Sequence, residues 1–254
     1  MAEHIRLARD GHMLTITLDR PEKLNALNAR ACVELSEAFD AFSAEDDLWV
    51  AIVTGEGRAF CAGHDLTDDA EEPMPATGWA GIARRRNLVK PLICAVNGDA
   101  MGGGWELALA CDVVIADERA RFGLPEPRVG LAAVGGGAWR LPKRLPWHVA
   151  MELLLTGNKI DAASAQRLGV VNRVAPAGTA LEVAKLCAGE MLRCAPIALQ
   201  ATKTLAMAAV EPDDLARDLF ASGSEWLAKL LNSDDGKEGI SAFQEKREPR
   251  WRGR

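Results

Sequence analysis

Residues 14–18 alternate apolar and polar side chains, Leu-Thr-Ile-Thr-Leu, as a half-buried strand does. Asp19-Arg20-Pro21-Glu22-Lys23 breaks that pattern, and the period then lengthens. Val33, Leu35, Ala38, Phe39 and Phe42 mark one face of a helix expected to start at residues 25–28 and run to about residue 43. Short apolar runs at 49–54, 92–96 and 112–116 read as buried strands, and 59–66 as a short strand ending in a Gly-containing loop. The polar, proline-containing stretch 67–78 reads as a mobile surface loop. A helix is expected over 79–90, ended by Pro91. Pro125-Glu126-Pro127 must turn. A glycine-rich loop, 130–137, leads into a helix from about Ala138. Helices at 147–155 and 162–168 precede a last strand at 170–174. Beyond Thr179 the pattern is helical throughout: 179–194, 196–209, 212–231 and a terminal piece, 236–248. Strands in the first two-thirds and helices in the last third predict an α/β core, 1–194, with a helical C-terminal region, 195–254.

One joint between strand and helix carries chemistry. The apolar run 92–96 is followed by Asn97-Gly98-Asp99-Ala100-Met101-Gly102-Gly103-Gly104-Trp105-Glu106. Three glycines let the backbone approach a ligand closely. The first-turn amides of a helix have no partner inside it, and the helix dipole favours negative charge there. Glu106 stands about one turn further on. Bare N–H groups beside a carboxylate suit a site that stabilises a developing oxyanion while a proton moves. No Gly-Lys-Ser/Thr follows, which excludes a P-loop. The third glycine of a dinucleotide fingerprint is missing at Leu107.

Composition narrows the reading. The 254 residues are enough for a large core, and a net charge of −6 disfavours a nucleic-acid binder. The six cysteines include no CxxC pair and sit mostly in apolar contexts, which favours buried free thiols in a reducing compartment. No leader-like start and no apolar run long enough to span a membrane is visible, so a cytoplasmic protein is expected. Tyrosine is absent, so no step can use a tyrosyl acid.

Three motifs occur in order: Phe60-Cys61-Ala62-Gly63-His64-Asp65-Leu66; Asn97-Gly98 with Gly102-Gly103-Gly104-Trp105-Glu106-Leu107; and Phe122-Gly123-Leu124-Pro125-Glu126. Together they resemble the crotonase superfamily, and within it the enoyl-CoA hydratases. Arg20-Pro21-Glu22-Lys23-Leu24-Asn25-Ala26-Leu27 resembles the N-terminal signature of the family. Leu155-Thr156-Gly157-Asn158 with Gly169-Val170-Val171-Asn172 resembles its later core, and Asp235-Gly236-Lys237-Glu238-Gly239 with Phe243 and Lys246 its C-terminal helix. The resemblance covers nearly the whole chain.

It implies a core of repeated ββα units, a C-terminal helical region that associates, and a homotrimer or homohexamer. It also implies reversible addition of water to a trans-2-enoyl-CoA, with coenzyme A entering as part of the substrate and no cofactor permanently bound. By position the oxyanion donors would be the amides of His64 and Gly103, and the proton-handling carboxylates Glu106 and Glu126. If close together, the two glutamates should share a proton. The His64 imidazole departs from the small residue usual there and is read as packing in preference to lining the acyl or thioester pocket. Lys23, Leu24, Ala26, Ala62, Asp65, Leu66, Phe243 and Lys246 match the coenzyme A handle. Leu124 replaces a frequent glutamine and Val134 a common glycine, with the amides of that loop expected to help position water. Trp79, Ile82, Leu66, Met101 and Trp105 are candidates for the acyl pocket. Arg84-Arg85-Arg86 reads as a solvated helix face rather than a phosphate clamp. Alternatives are another acyl-CoA reaction of the superfamily, such as double-bond isomerisation or a specialised dehydration, and a non-catalytic CoA- or RNA-binding relative. The acidic charge and the glutamate pair argue against the last.

Overall fold

A computed structural model describes residues 3–67, 73–210, 228 and 231–250. Strand β1 (Ile5–Asp10) pairs antiparallel with β2 (Met13–Leu18). To β2 are added, all parallel, β3 (Val50–Gly55), β5 (Leu92–Val96), β7 (Val113–Asp117) and β10 (Arg173–Ala175), in the order β1-β2-β3-β5-β7-β10. The two faces of this sheet feed two cores, as the period of 2 requires. Ala51, Val53, Cys94 and Val96 face one core, while Val50, Ile52, Ile93 and Ala95 face the other, against helix α6 (Ala180–Met191). The larger core takes Phe39 and Phe42 of α1 (Ala29–Ala44), together with Phe60, Trp105 and Phe122.

A second, smaller sheet runs in the order β4 (Ala59–Cys61), β6 (Asp99–Met101), β8 (Arg121–Gly123) and β9 (Ile160–Asp161). The chain alternates between the sheets: β3 then β4, β5 then β6, β7 then β8, with the second strand of each pair delivered to the small sheet. This is the recurring strand pair of the expected α/β core. The β5–β6 pair leads into α2 (Gly103–Ala110). The β8 strand leads through a 3-10 turn at Glu126–Val129 to α3 (Gly137–Arg144). Helices α4 (Trp147–Thr156), α5 (Ala162–Arg167), α7 (Pro196–Val210) and α8 (Asp234–Glu245) complete the described chain. Among the described residues no helix is long and apolar enough to cross a membrane.

Several expectations need correction. Helix α1 starts at Ala29, with the Asn28 side chain accepting from the Ala31 N–H as its cap. Leu24 and Asn25 are left-handed, with φ of 52° and 56°. The Asn25 side chain accepts from Arg20 N–H and donates to Glu56 and Ala59 carbonyls, so the segment is pinned to neighbours rather than to itself. The helix expected over 79–90 is a single 3-10 turn, Trp79–Gly81. Gly78 and Gly81 have positive φ, and a Cβ on Gly81 would overlap the Ser36 backbone of α1, so this chain lies flush against that helix. Arg85 is not on a wet face. It is buried, donating to Gly81 O, Ser36 O and Asp40. The strand expected over 59–66 stops at Cys61, and the last strand lies at Arg173–Ala175. Cys32, Cys61, Cys94, Cys111 and Cys187 are buried thiols, whereas Cys194 is exposed. Most of the helix expected over 212–231 lies outside the described residues, as do residues 68–72 of the 67–78 loop.

Candidate active site

The site forms where the small sheet ends and α2 begins. Gly102 takes φ 52° and ψ −126° and donates its N–H to Gly123 O at 2.8 Å, a turn that swings the chain from β6 into the helix. Gly103 is then the first helical residue, so its N–H has no acceptor within the helix. Beside it runs the loop of His64. Leu27 N–H donates to Gly63 O at 2.8 Å and Asp65 N–H to Leu27 O at 3.0 Å, clamping His64 between two backbone bonds. Gly63, at φ +97°, lies so near that a Cβ there would stand 3.1 Å from Gly103 N. The two segments expected to supply oxyanion donors are therefore neighbours. Trp79 covers them, donating Nε1–H to Gly103 O at 3.1 Å and meeting His64 edge-on at 5.3 Å between centroids.

Glu106 follows on α2 with 4% of its surface exposed. Its Oε1 accepts from the Gly137 N–H at 2.8 Å, and the amides of Gly135 and Gly136 also favour its ionised form, as does Arg140. Burial outweighs them and pushes its carboxyl up to about 7. Glu126 opens the 3-10 turn after β8, and its Oε1 rests on Gly102, 3.1 Å from where a Cβ would stand. Burial, and then the charge of Glu106, push it up to about 8. Its Oε2 is buried with no hydrogen-bond partner among the described residues. The structure thus brings Glu106 and Glu126 together at the start of α2, one cradled by amides and one with an unused acceptor. Such a pair favours sharing one proton at neutral pH, because two charges so close in a buried site oppose each other.

The glycine loop works differently from expectation. Val134 N–H donates to Ala132 O at 2.8 Å, so that amide is already used within the turn. The amides of Gly135 to Gly137 turn instead to Glu106. A Cβ on Gly135 would overlap Glu106 Oε2, and one on Gly136 the Arg140 guanidinium. Leu124 is fully buried, its Cδ1 against Gly137, and closes the wall beneath Glu106. Arg140, buried in α3, escaped the sequence reading; its only signal was the triple glycine three to five residues upstream.

The handle residues divide. Leu24 and Ala62 line one cleft of about 420 Å³ with Arg58, Met101, Arg121 and Lys159. Lys23 is exposed, its Nζ donating to Thr67 Oγ1 at 3.2 Å. Ala26 is buried, and Asp65 is buried with its carboxylate on Arg20 at 3.0 Å and on Thr67, so Asp65 holds the loop together from within. Leu66 O accepts from Gln244 Nε2 at 3.3 Å, which sets α8 beside the loop. On that helix Phe243 is exposed and Lys246 forms the left-handed C-cap. Two acyl-pocket candidates fall in the core instead: Trp105 packs on Phe122 at 5.8 Å, and Ile82 is buried.

Comparison with known proteins agrees with this geometry. The sequence profile of the enoyl-CoA hydratase/isomerase family matches residues 9–254. A carnitinyl-CoA dehydratase of Proteus mirabilis is 42% identical over a 262-residue alignment that spans all of both chains. The crystal structure of a carnitinyl-CoA hydratase from Mycobacterium avium superposes with a TM-score of 0.94 at 38% identity, covering 99% of each chain. An enoyl-CoA hydratase from Mycobacterium tuberculosis superposes with a TM-score of 0.78 at 41% identity, again over 99% of each.

Proposed function

The chain belongs to the enoyl-CoA hydratase/isomerase family of the crotonase superfamily, and from that premise we propose that it is a hydro-lyase, adding water reversibly across the Cα–Cβ double bond of a trans-2-enoyl-CoA. The observation that supports this most is the pairing of buried Glu106, on α2, with half-buried Glu126, whose Oε2 is sealed without a donor against the start of that helix. A conjugated thioester accepts a nucleophile at Cβ only if charge can collect on its carbonyl oxygen. The amides of His64 and Gly103 are the donors for that charge. Glu106, whose Oε1 accepts from the Gly137 N–H, takes a proton from water as the new C–O bond forms. Glu126, whose Oε2 has no donor among the described residues, delivers its proton to Cα. Elimination of water is the same path reversed. Lys23, Leu24 and Ala26 would cradle the adenine end of coenzyme A, with Ala62, Asp65 and Leu66 beside it and Phe243 and Lys246 reaching the nucleotide.

The acyl group has a second reading. Relatives named carnitinyl-CoA dehydratase match the chain end to end, which favours a 3-hydroxyacyl-CoA with a specialised acyl group over a plain fatty chain. The test is incubation of crotonyl-CoA, longer enoyl-CoAs and carnitinyl-CoA in heavy-oxygen water, followed by mass spectrometry. Wild type should place label in a β-hydroxyl, and whichever ester turns over fastest names the acyl class. A moved double bond without label would identify an isomerase. Wild type and Glu126→Gln equally inert on every ester would remove the hydro-lyase reading. The helical C-terminal region is proposed to assemble a homotrimer or homohexamer: α7 buries none of its residues within the chain and exposes Ile197 and Leu205.

A further inference from the structure

Arg140 lies behind the glycine loop that holds Glu106. Its guanidinium is buried, donates to Ala83 O at 3.0 Å and to Gly135 O at 3.4 Å, and fills the space that a Gly136 Cβ would need. Ala83 belongs to the segment that carries Trp79, so one side chain ties the two walls of the site together. The same loop presents its opposite side, the Gly137 N–H, to Glu106. Glu126 receives nothing comparable, and its Oε2 has no donor among the described residues. We propose that Arg140 is a positioning residue for the proposed hydration, whose cation, acting through the glycine loop, keeps Glu106 ionised and so leaves the shared proton on Glu126.

Five other titratable groups on the elements around α2 do not supply this bias. Glu126, on the turn after β8, opposes the ionisation of Glu106. The Cys61 thiol of β4 is neutral, burial having pushed it up to about 12. Asp99 of β6 is bound by Arg121 at 2.6 Å. His64 is exposed and lies across the Trp79 ring. Arg85, in the Trp79 segment, is bound to Asp40 and Ser36 of α1.

The inference rests on the hydro-lyase reading for its kinetic consequence only. Two variants separate charge from stapling: Arg140→Gln keeps a donor and loses the charge, whereas Arg140→Lys keeps the charge. In protein labelled with carbon-13 at the glutamate carboxyls, NMR titration without substrate should show the first ionisation of the pair displaced upward by about one pH unit in Arg140→Gln, the lower end of what a nearby opposite charge does. Arg140→Lys should leave it in place. The acid limb of the kcat profile should move with it, with KM little changed. Equal displacement in both variants, or none in either, would overturn the proposal. Should Arg140→Gln not fold, a displaced titration in Arg140→Lys overturns it, and an unmoved one there, with kcat retained, supports it. Because the titration needs no turnover, it stands even if wild type hydrates nothing.

Discussion

An acceptor buried without a donor, as Glu126 Oε2 is, weighs on the fold most when its carboxyl is charged. Unfolded glutamate ionises near pH 4.3, while in the folded chain Glu106 and Glu126 ionise near 7 and 8. The pair's contribution is fully present below about pH 4.3 and is lost as pH rises through the folded values. Glu126→Gln is therefore expected to melt higher than wild type at pH 8, with the difference gone by about pH 4, as calorimetry would read. The same substitution should lower kcat by roughly 10²–10⁴. Gly103→Ala is expected to lower kcat by roughly 10²–10³, because its Cβ would strike the Trp79 ring and shift an oxyanion donor. At this scale the sequence was partly legible. A triple glycine followed by Glu106 announces a helix start beside a carboxylate. That Val134 uses its amide locally, and that Arg140 acts through a loop, is decided by folds of backbone that no spacing of residue types records.

Elements were readable where burial is regular. The strands β3 and β5 are continuous apolar runs because a sheet covered on both faces demands them, whereas β2, whose alternation reads as half-buried, is buried throughout, with Thr15 and Thr17 covered as well. β6, β8 and β9 have three, three and two residues, too short for any period to declare itself. The segment after Gly78 misleads for another reason. Its apolar spacing suits a helix, yet Gly81 must sit against the α1 backbone, and the buried Arg85 then takes the carbonyls of Gly81 and Ser36. Gly81→Ala tests this. Positive φ and overlap with Ser36 together should destabilise the protein by about 1–3 kcal/mol in urea unfolding. Because Trp79 sits in the same turn, kcat should fall as well.

For the whole molecule, charge and length were legible at once and narrowed the reading, while the acyl group was not legible, since it depends on a wall built from several distant loops. Helix α7 supplies the test of assembly. Leu205→Glu should lower the mass seen by sedimentation while leaving the circular dichroism of the helices unchanged. The sealed oxygen of Glu126 has one more consequence, for isotopes rather than rates. If neither carboxyl exchanges its proton with bulk solvent through the cycle, the hydrogen that Glu106 gains from the reacting water must return to Glu126 across the pair. The atom delivered to Cα is then the one taken from water a turnover earlier. After a jump from light to heavy water, the first product molecule from each site should carry protium at Cα beside a deuterated hydroxyl: a memory one turnover long, kept inside the protein.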